Sequence, residues 1–210
     1  MPYAISKFEG IVIGHQDQGD ADRLISFYTP YFGKIETVAR GVRHEKSKLK
    51  GHLELLTHGE FIIAKNRGRG VLTDALASNK FPHMHAHVER AYIGLAVAGM
   101  YENYLYPHAQ DDGLWRLLAD TLKKLNASQE LSAGDMPGMV LNFAHAFIAG
   151  LGYADAAAKP TGGLMGYDAL LAHTDKAGPL FARMERGLRE LARSSKMGYT
   201  ASRQPAACNA

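Results

Sequence analysis

Five cationic side chains fall between residues 40 and 50 of the stretch RGVRHEKSKLKGHLE (40–54): Arg40, Arg43, Lys46, Lys48 and Lys50. Glu45 and Glu54 alone oppose them there, and Lys34 lies a short way upstream. Long, flexible cations at this density suit neutralisation of a phosphate backbone. The nearby rings of Phe27, Tyr28, Tyr31 and Phe32 are the residue types on which bases stack, and Gly41 gives the segment freedom. Lys34, Arg40, Arg43, Lys46, Lys48 and Lys50 are therefore candidate nucleic-acid contacts. No fixed recognition helix accompanies them, so they are expected to touch phosphates rather than base edges. The competing reading is a solvated charged loop.

The distribution of charge favours a surface over a general bias. The formal net charge is +3, too small to imply nucleic acid by itself. Residues 1–80 carry twelve Lys/Arg against nine Asp/Glu, whereas residues 81–210 carry twelve of each. Asp17, Asp20 and Asp22 immediately precede the basic stretch, so the two signs are segregated.

Other chemistry is poorly represented. There is no P-loop, nucleophile elbow or metalloprotease pattern, and no enzyme is expected. HMHAH (83–87) puts His83 and His87 on one helical face, a pair that with a third ligand suits a metal-dependent hydrolase. No acidic or cysteine partner accompanies them, so a polar first helical turn is the simpler expectation, with no metal. GRG (68–70) reads as a hairpin turn. Tyr101, Tyr104, Tyr106 and Trp115 read as a helical core or interface before a stacking platform. The single cysteine, Cys208, excludes an internal disulfide and a cysteine-based zinc site. The start MPYAISKFEG has no signal-like apolar stretch, and the most apolar window, AYIGLAVAGM (91–100), is shorter than the ~20 residues a bilayer requires. A cytoplasmic protein with no membrane contact is expected.

The elements that must position the basic stretch follow from periodicity. GIVIG (10–14), RLISFYT (23–29), KIETVAR (34–40), EFIIAK (60–65) and GVLTDALA (70–77) read as strands, punctuated by TPYFG (29–33) and NRGRG (66–70). Between the third and fourth, SKLKGHLELL (47–56) spaces Leu49, Leu53 and Leu56 on one helical face, with Ser47 as a cap and Gly51 as a weakness. Three strands, a helix and two strands fit a five-stranded OB barrel, whose open face binds oligonucleotides; another small β-barrel with a surface helix fits the same order. Beyond Phe81 the period becomes helical, predicting helices over 83–106, 111–126, 135–152 and 179–193, with 154–163 as loop. The expected fold class is α+β: an OB-fold domain over 1–80, an α-helical domain over 81–193, and a flexible tail over 194–210. An OB protein acting on single-stranded RNA remains an alternative, separable by competition because only RNA carries the 2′-hydroxyl.

The segment 20–61 also resembles the N-terminal domain of the bacterial RecO family of DNA repair proteins. The resemblance rests on Asp22-Arg23, Thr29, Gly33-Lys34, Ala39-Arg40-Gly41, Ser47-Lys48-Leu49 and Leu55-Leu56, followed by GRGVLTDA (68–75). YENYLYP (101–107), LLADTLKKLN (117–126) and FAHAFIAGLGY (143–153) follow in plausible order for that family's helical domain. The resemblance implies an OB domain plus a helical domain, binding of single- and double-stranded DNA, annealing of complementary strands, and partnership with RecR. It also implies recognition of the acidic C-terminal tail of single-strand-binding protein (SSB) and help in loading RecA. Many family members carry a four-cysteine zinc site after a Leu-Gly-Tyr segment; here Leu151-Gly152-Tyr153 is followed by ADAAAKPTGG without cysteine, so no zinc is expected. An acidic, apolar-ended tail needs a basic rim beside an apolar groove. Arg116, Lys123 and Lys124, beside the leucine stripe of the second helix, are the candidates for that contact.

Overall fold

The computed structural model describes residues 4–65, 69–127 and 135–152. Five strands, β1 (Ala4–Gln18), β2 (Asp22–Thr29), β3 (Gly33–Ala39), β4 (His58–Lys65) and β5 (Gly70–Asn79), close a barrel in the order β1-β2-β3-β5-β4. This is the expected OB barrel. β1 is far longer than its apolar run. Its first half pairs with β4 (Ala4↔Lys65 to Ile11↔His58) and its second with β2 (Ile11↔Tyr28 to Gln18↔Asp22). A shift of register between Val12 and Gly14 marks the bend of the second half. All neighbours are antiparallel except β3 and β5, which close the barrel through a short parallel ladder, Thr37↔Gly70 and Val38↔Val71.

The apolar run of β1 is buried on both faces, so it does not alternate with polar residues. Val12 faces the barrel interior with Phe8, Ile25, Phe27, Phe61 and Leu72. The rings of Phe8, Phe27 and Phe61 pack there with centroids 4.4–5.7 Å apart. Ile11 and Ile13 face outward and join a second core with the helices.

Among the described residues four helices follow: α1 (Pro82–His85), α2 (Val88–Tyr104), α3 (Asp112–Leu125) and α4 (Asp135–Gly150). The helix expected over 83–106 is interrupted at Ala86 and His87, and His87 adopts an extended backbone ahead of α2. α3 begins as expected, with the Asp111 carboxylate accepting from the Leu114 amide at 2.7 Å. Arg90, buried on α2, donates to the carbonyls of Leu125 and Ala127 at 3.2 and 2.6 Å and closes the C-terminal end of α3. The helices and the barrel share a core. Tyr28 of β2 packs edge-on against Tyr101 with ring centroids 5.0 Å apart, and Tyr101 packs at a tilt against Phe147, also at 5.0 Å. Their hydroxyls donate to the carbonyls of Asp111 (3.3 Å) and Leu114 (2.7 Å). Burial holds both phenols well above their ordinary ionisation range. Among the described residues no helix is long and apolar enough to cross a membrane. The helix expected over 179–193, the loop over 154–163 and the tail lie outside the described residues.

The helix expected over 47–56 is a correction. Only a 3₁₀ turn forms, Lys50–His52. Leu53 and Leu49 plug the barrel interior, whereas Leu56 enters the helical core, so the three leucines serve two cores and not one helical face. Leu56 has a positive φ of 67°, and the end of the segment pairs with β1: the Leu56 amide donates to Val12 at 2.8 Å and Val12 to Thr57 at 3.0 Å. With Gly51 weakening any helix, those external bonds satisfy the backbone better than a helical turn.

Candidate nucleic-acid interface

The connection from β3 to β4 carries the basic stretch. Its path is set by Gly41, whose φ of 61° is a conformation that favours glycine. The Gly41 amide donates to Asp22 Oδ1 at 2.7 Å and the Arg43 amide to the Ala21 carbonyl at 3.0 Å, tying the connection to the β1–β2 turn. Val42, Leu49 and Leu53 point inward as the barrel's plug. The residues between them, Arg40, Arg43, Lys46, Lys48 and Lys50, are exposed. Alternation of plug and charge thus puts five cations on one end of the barrel.

Their freedom differs. Arg43 Nη1 donates to the Gly19 carbonyl at 3.2 Å, and its Nε lies 3.5 Å from Asp17 Oδ2. Asp17 is held more tightly by Arg23, with Nε to Oδ1 at 2.6 Å. That hydrogen bond from Arg23 is the first cause keeping the Asp17 carboxyl below its ordinary ionisation range, with the nearby charges of Arg23 and Arg43 adding to it. Arg40, Lys46, Lys48 and Lys50 form no ion pair with any described residue. The acids that precede the basic stretch therefore orient Arg43 and leave the other four cations available.

Lys34 does not belong to this surface, a correction to its assignment as a phosphate contact. Its side chain is 8% exposed; the ammonium donates to the Glu102 carbonyl and lies 3.3 Å from Glu102 Oε2. Glu102 also accepts from Ser26 Oγ at 3.0 Å. It fits against the sheet because Gly14 has no side chain there: a Cβ would lie 2.7 Å from Glu102 Cδ. Lys34 sits at the start of β3 and Arg40 just past its end, about 20 Å apart along an extended strand.

In the helices, Arg116, Lys123 and Lys124 are exposed on α3, with Lys123 Nζ 3.6 Å from Asp120. The leucine stripe beside them is not an open groove: Leu114, Leu118, Leu122 and Leu125 are buried against α2 and α4. Tyr101 is core, as expected for that tyrosine cluster, and Tyr106 is 78% exposed. Among the described residues no three His, Cys, Asp or Glu side chains converge as a metal site would require.

The sequence reading missed the opposite mouth of the barrel. A groove of about 570 Å³ opens there between the start of β1, the β2–β3 turn, the end of β4 and the start of β5. Phe8, Phe32, Ile35, Thr37, Ile63, Lys65 and Arg69 line it, together with Lys34, Glu36 and the Pro107–His108 segment that follows α2. The one signal available was the pair Tyr31-Phe32, both exposed at a turn where polar residues are usual.

Residues 1–81 match the family model described as "Recombination protein O N terminal". Proteins named DNA repair protein RecO are also similar to this chain. The one from Roseiflexus sp. (strain RS-1) is 32% identical over 123 residues, covering 59% of this chain and 43% of that protein. The one from Dehalococcoides mccartyi (strain CBDB1) is 28% identical over 137 residues, covering 65% and 52%. The one from Bacillus mycoides (strain KBAB4) is 41% identical over 66 residues, covering 31% and 27%. The chain thus aligns over about half the length of the first two of these relatives. The closed barrel in OB order, the β3–β4 connection that plugs it and the match over the same residues agree: residues 1–81 of this chain resemble the N-terminal domain of recombination protein O.

Proposed function

We propose that the chain is a non-enzymatic DNA-binding protein of recombinational repair that anneals complementary strands. The observation that carries this reading is the set of exposed cations on the β3–β4 connection, four of them without an ion-pair partner among the described residues. Held at one barrel end, they offset the repulsion between two phosphate backbones, and base pairing supplies the favourable free energy. Nothing in the mechanism consumes a nucleotide, in keeping with the missing P-loop motif. Single- and double-stranded DNA are both substrates, since the contacts are to backbone. RecR, the acidic SSB tail and, indirectly, RecA are the partners that the resemblance to the RecO family supports, and no zinc is required.

The test is annealing of complementary oligonucleotides coated with SSB, followed by fluorescence, with and without ATP and against an RNA competitor of the same sequence. Annealing that proceeds without ATP and is not displaced preferentially by RNA is expected. A strict ATP requirement, or preference for RNA, would contradict the proposal. With the leucine stripe buried, the exposed Arg116, Lys123 and Lys124 offer the acidic SSB tail a contact by charge rather than a basic rim on an apolar groove. Lys123→Ala with Lys124→Ala should weaken binding of an SSB-tail peptide, and unchanged binding would remove the assignment.

A further inference from the structure

The barrel mouth opposite the basic connection has the parts of a binding site that nothing in the annealing mechanism uses. Phe8, Ile35 and Ile63 form an apolar throat. Thr37, two residues beyond Ile35 on β3 and therefore on the same inward side, also lines the groove and is 1% exposed. Its hydroxyl has no hydrogen-bond partner among the described residues. A buried hydroxyl left unbonded is costly, so the wall of the throat holds a polar group without a counterpart, covered by its neighbours in this structure. At the rim stand Phe32, 50% exposed, and the cations Lys65 and Arg69. Arg69 is 3.5 Å from Glu36, whereas Lys65 has no ion pair with a described residue.

We propose that this mouth accepts one unstacked nucleobase of a single DNA strand. Thr37 hydrogen-bonds the base edge once the side chains covering its hydroxyl part, Phe32 covers a face of the ring, and Lys65 with Arg69 take the flanking phosphates. The chemistry selects this occupant. A base is apolar on its faces, polar at its edge and attached to anions, matching throat, hydroxyl and rim in turn. The volume of about 570 Å³ lies in the range that encloses small organic ligands. The proposal rests on the DNA-binding reading and adds a base-dependent increment to a surface that is otherwise blind to bases.

The test compares binding of an oligothymidine and an abasic strand of equal length, by fluorescence anisotropy, for wild type, Thr37→Val and Phe32→Ala. Wild type should bind the thymidine strand about tenfold or more tightly than the abasic one. Each variant should lose about fivefold or more of that preference and keep its affinity for the abasic strand. Thr37→Val, which removes an unbonded hydroxyl with little change of shape, should melt no lower than wild type. A wild type without the preference, or variants that keep it in full, would overturn the mouth assignment and leave backbone binding intact. A wild type that binds neither strand would sink both.

Discussion

The ammonium of Lys34 is held by the Glu102 carbonyl and carboxylate at the junction of barrel and helices, whereas that of Lys48 stands in solvent. Both were legible in the sequence as cations near one basic stretch. The difference was not, because burial of Lys34 depends on Gly14 and Glu102, which approach it only in the fold. Lys34→Ala should therefore leave the salt dependence of DNA affinity unchanged while destabilising the protein by about 1–3 kcal/mol, the cost of stripping a buried acceptor of its donor. Urea denaturation alongside a salt titration checks both halves. Asp17 gives a prediction with a pH sign. Its carboxyl is held below the ordinary value of 3.8, so the contact to Arg23 and Arg43 persists through neutral and weakly acidic solution. Its contribution is lost only as pH falls through that lowered value. At pH 7, Asp17→Asn should release Arg43 from its counter-charge and tighten DNA binding at low salt, measured by anisotropy. Weaker binding would mean that Asp17 positions Arg43 productively.

At the scale of elements, the strands were readable where apolar residues made runs, and unreadable where pairing alone holds them. Residues 4–9 and 15–18 of β1 are mostly exposed and carry no apolar pattern; their ladders with β4 and β2 keep them extended. The connection at 47–56 misled for the opposite reason. Its leucine spacing was helical, yet the leucines were drawn to two cores by bonds from β1 that local sequence does not encode. α3 was read correctly because its signals are local: a capping aspartate and a continuous stripe. Asp111→Ala should lower stability by about 1 kcal/mol in thermal or urea melts by removing that cap. Gly94 of α2 tests the leucine arrangement more sharply. A Cβ there would lie 2.8 Å from Met84 Sδ and 2.9 Å from Leu56 Cδ1. Gly94→Val should cost about 1–3 kcal/mol through overpacking, despite valine's better helix propensity than glycine's. A stabilised variant would show that Leu56 does not sit against α2.

For the whole molecule, the strands end at Asn79 and helix begins at Pro82, but apolar packing crosses that boundary through Ile11, Ile13, Tyr28 and Leu56. Barrel and helices should therefore melt in one transition, with near-ultraviolet dichroism of the aromatics and far-ultraviolet dichroism of the helices coinciding. Function divides the molecule differently. The helices cover one outer face of the barrel; one barrel end is plugged by the basic connection and the other carries the aromatic mouth. The measurement that bears most directly on the basic end is the salt dependence of single-strand DNA affinity for wild type and for a variant with Arg40, Lys46, Lys48 and Lys50 all changed to alanine. Each phosphate contact contributes about 0.7 to the logarithmic slope, so four contacts predict a slope flatter by about 2.8, equal across DNA sequences, in a protein whose circular dichroism is unaltered. An unchanged slope in the folded variant would contradict the account and return the β3–β4 connection to a plain solvated loop.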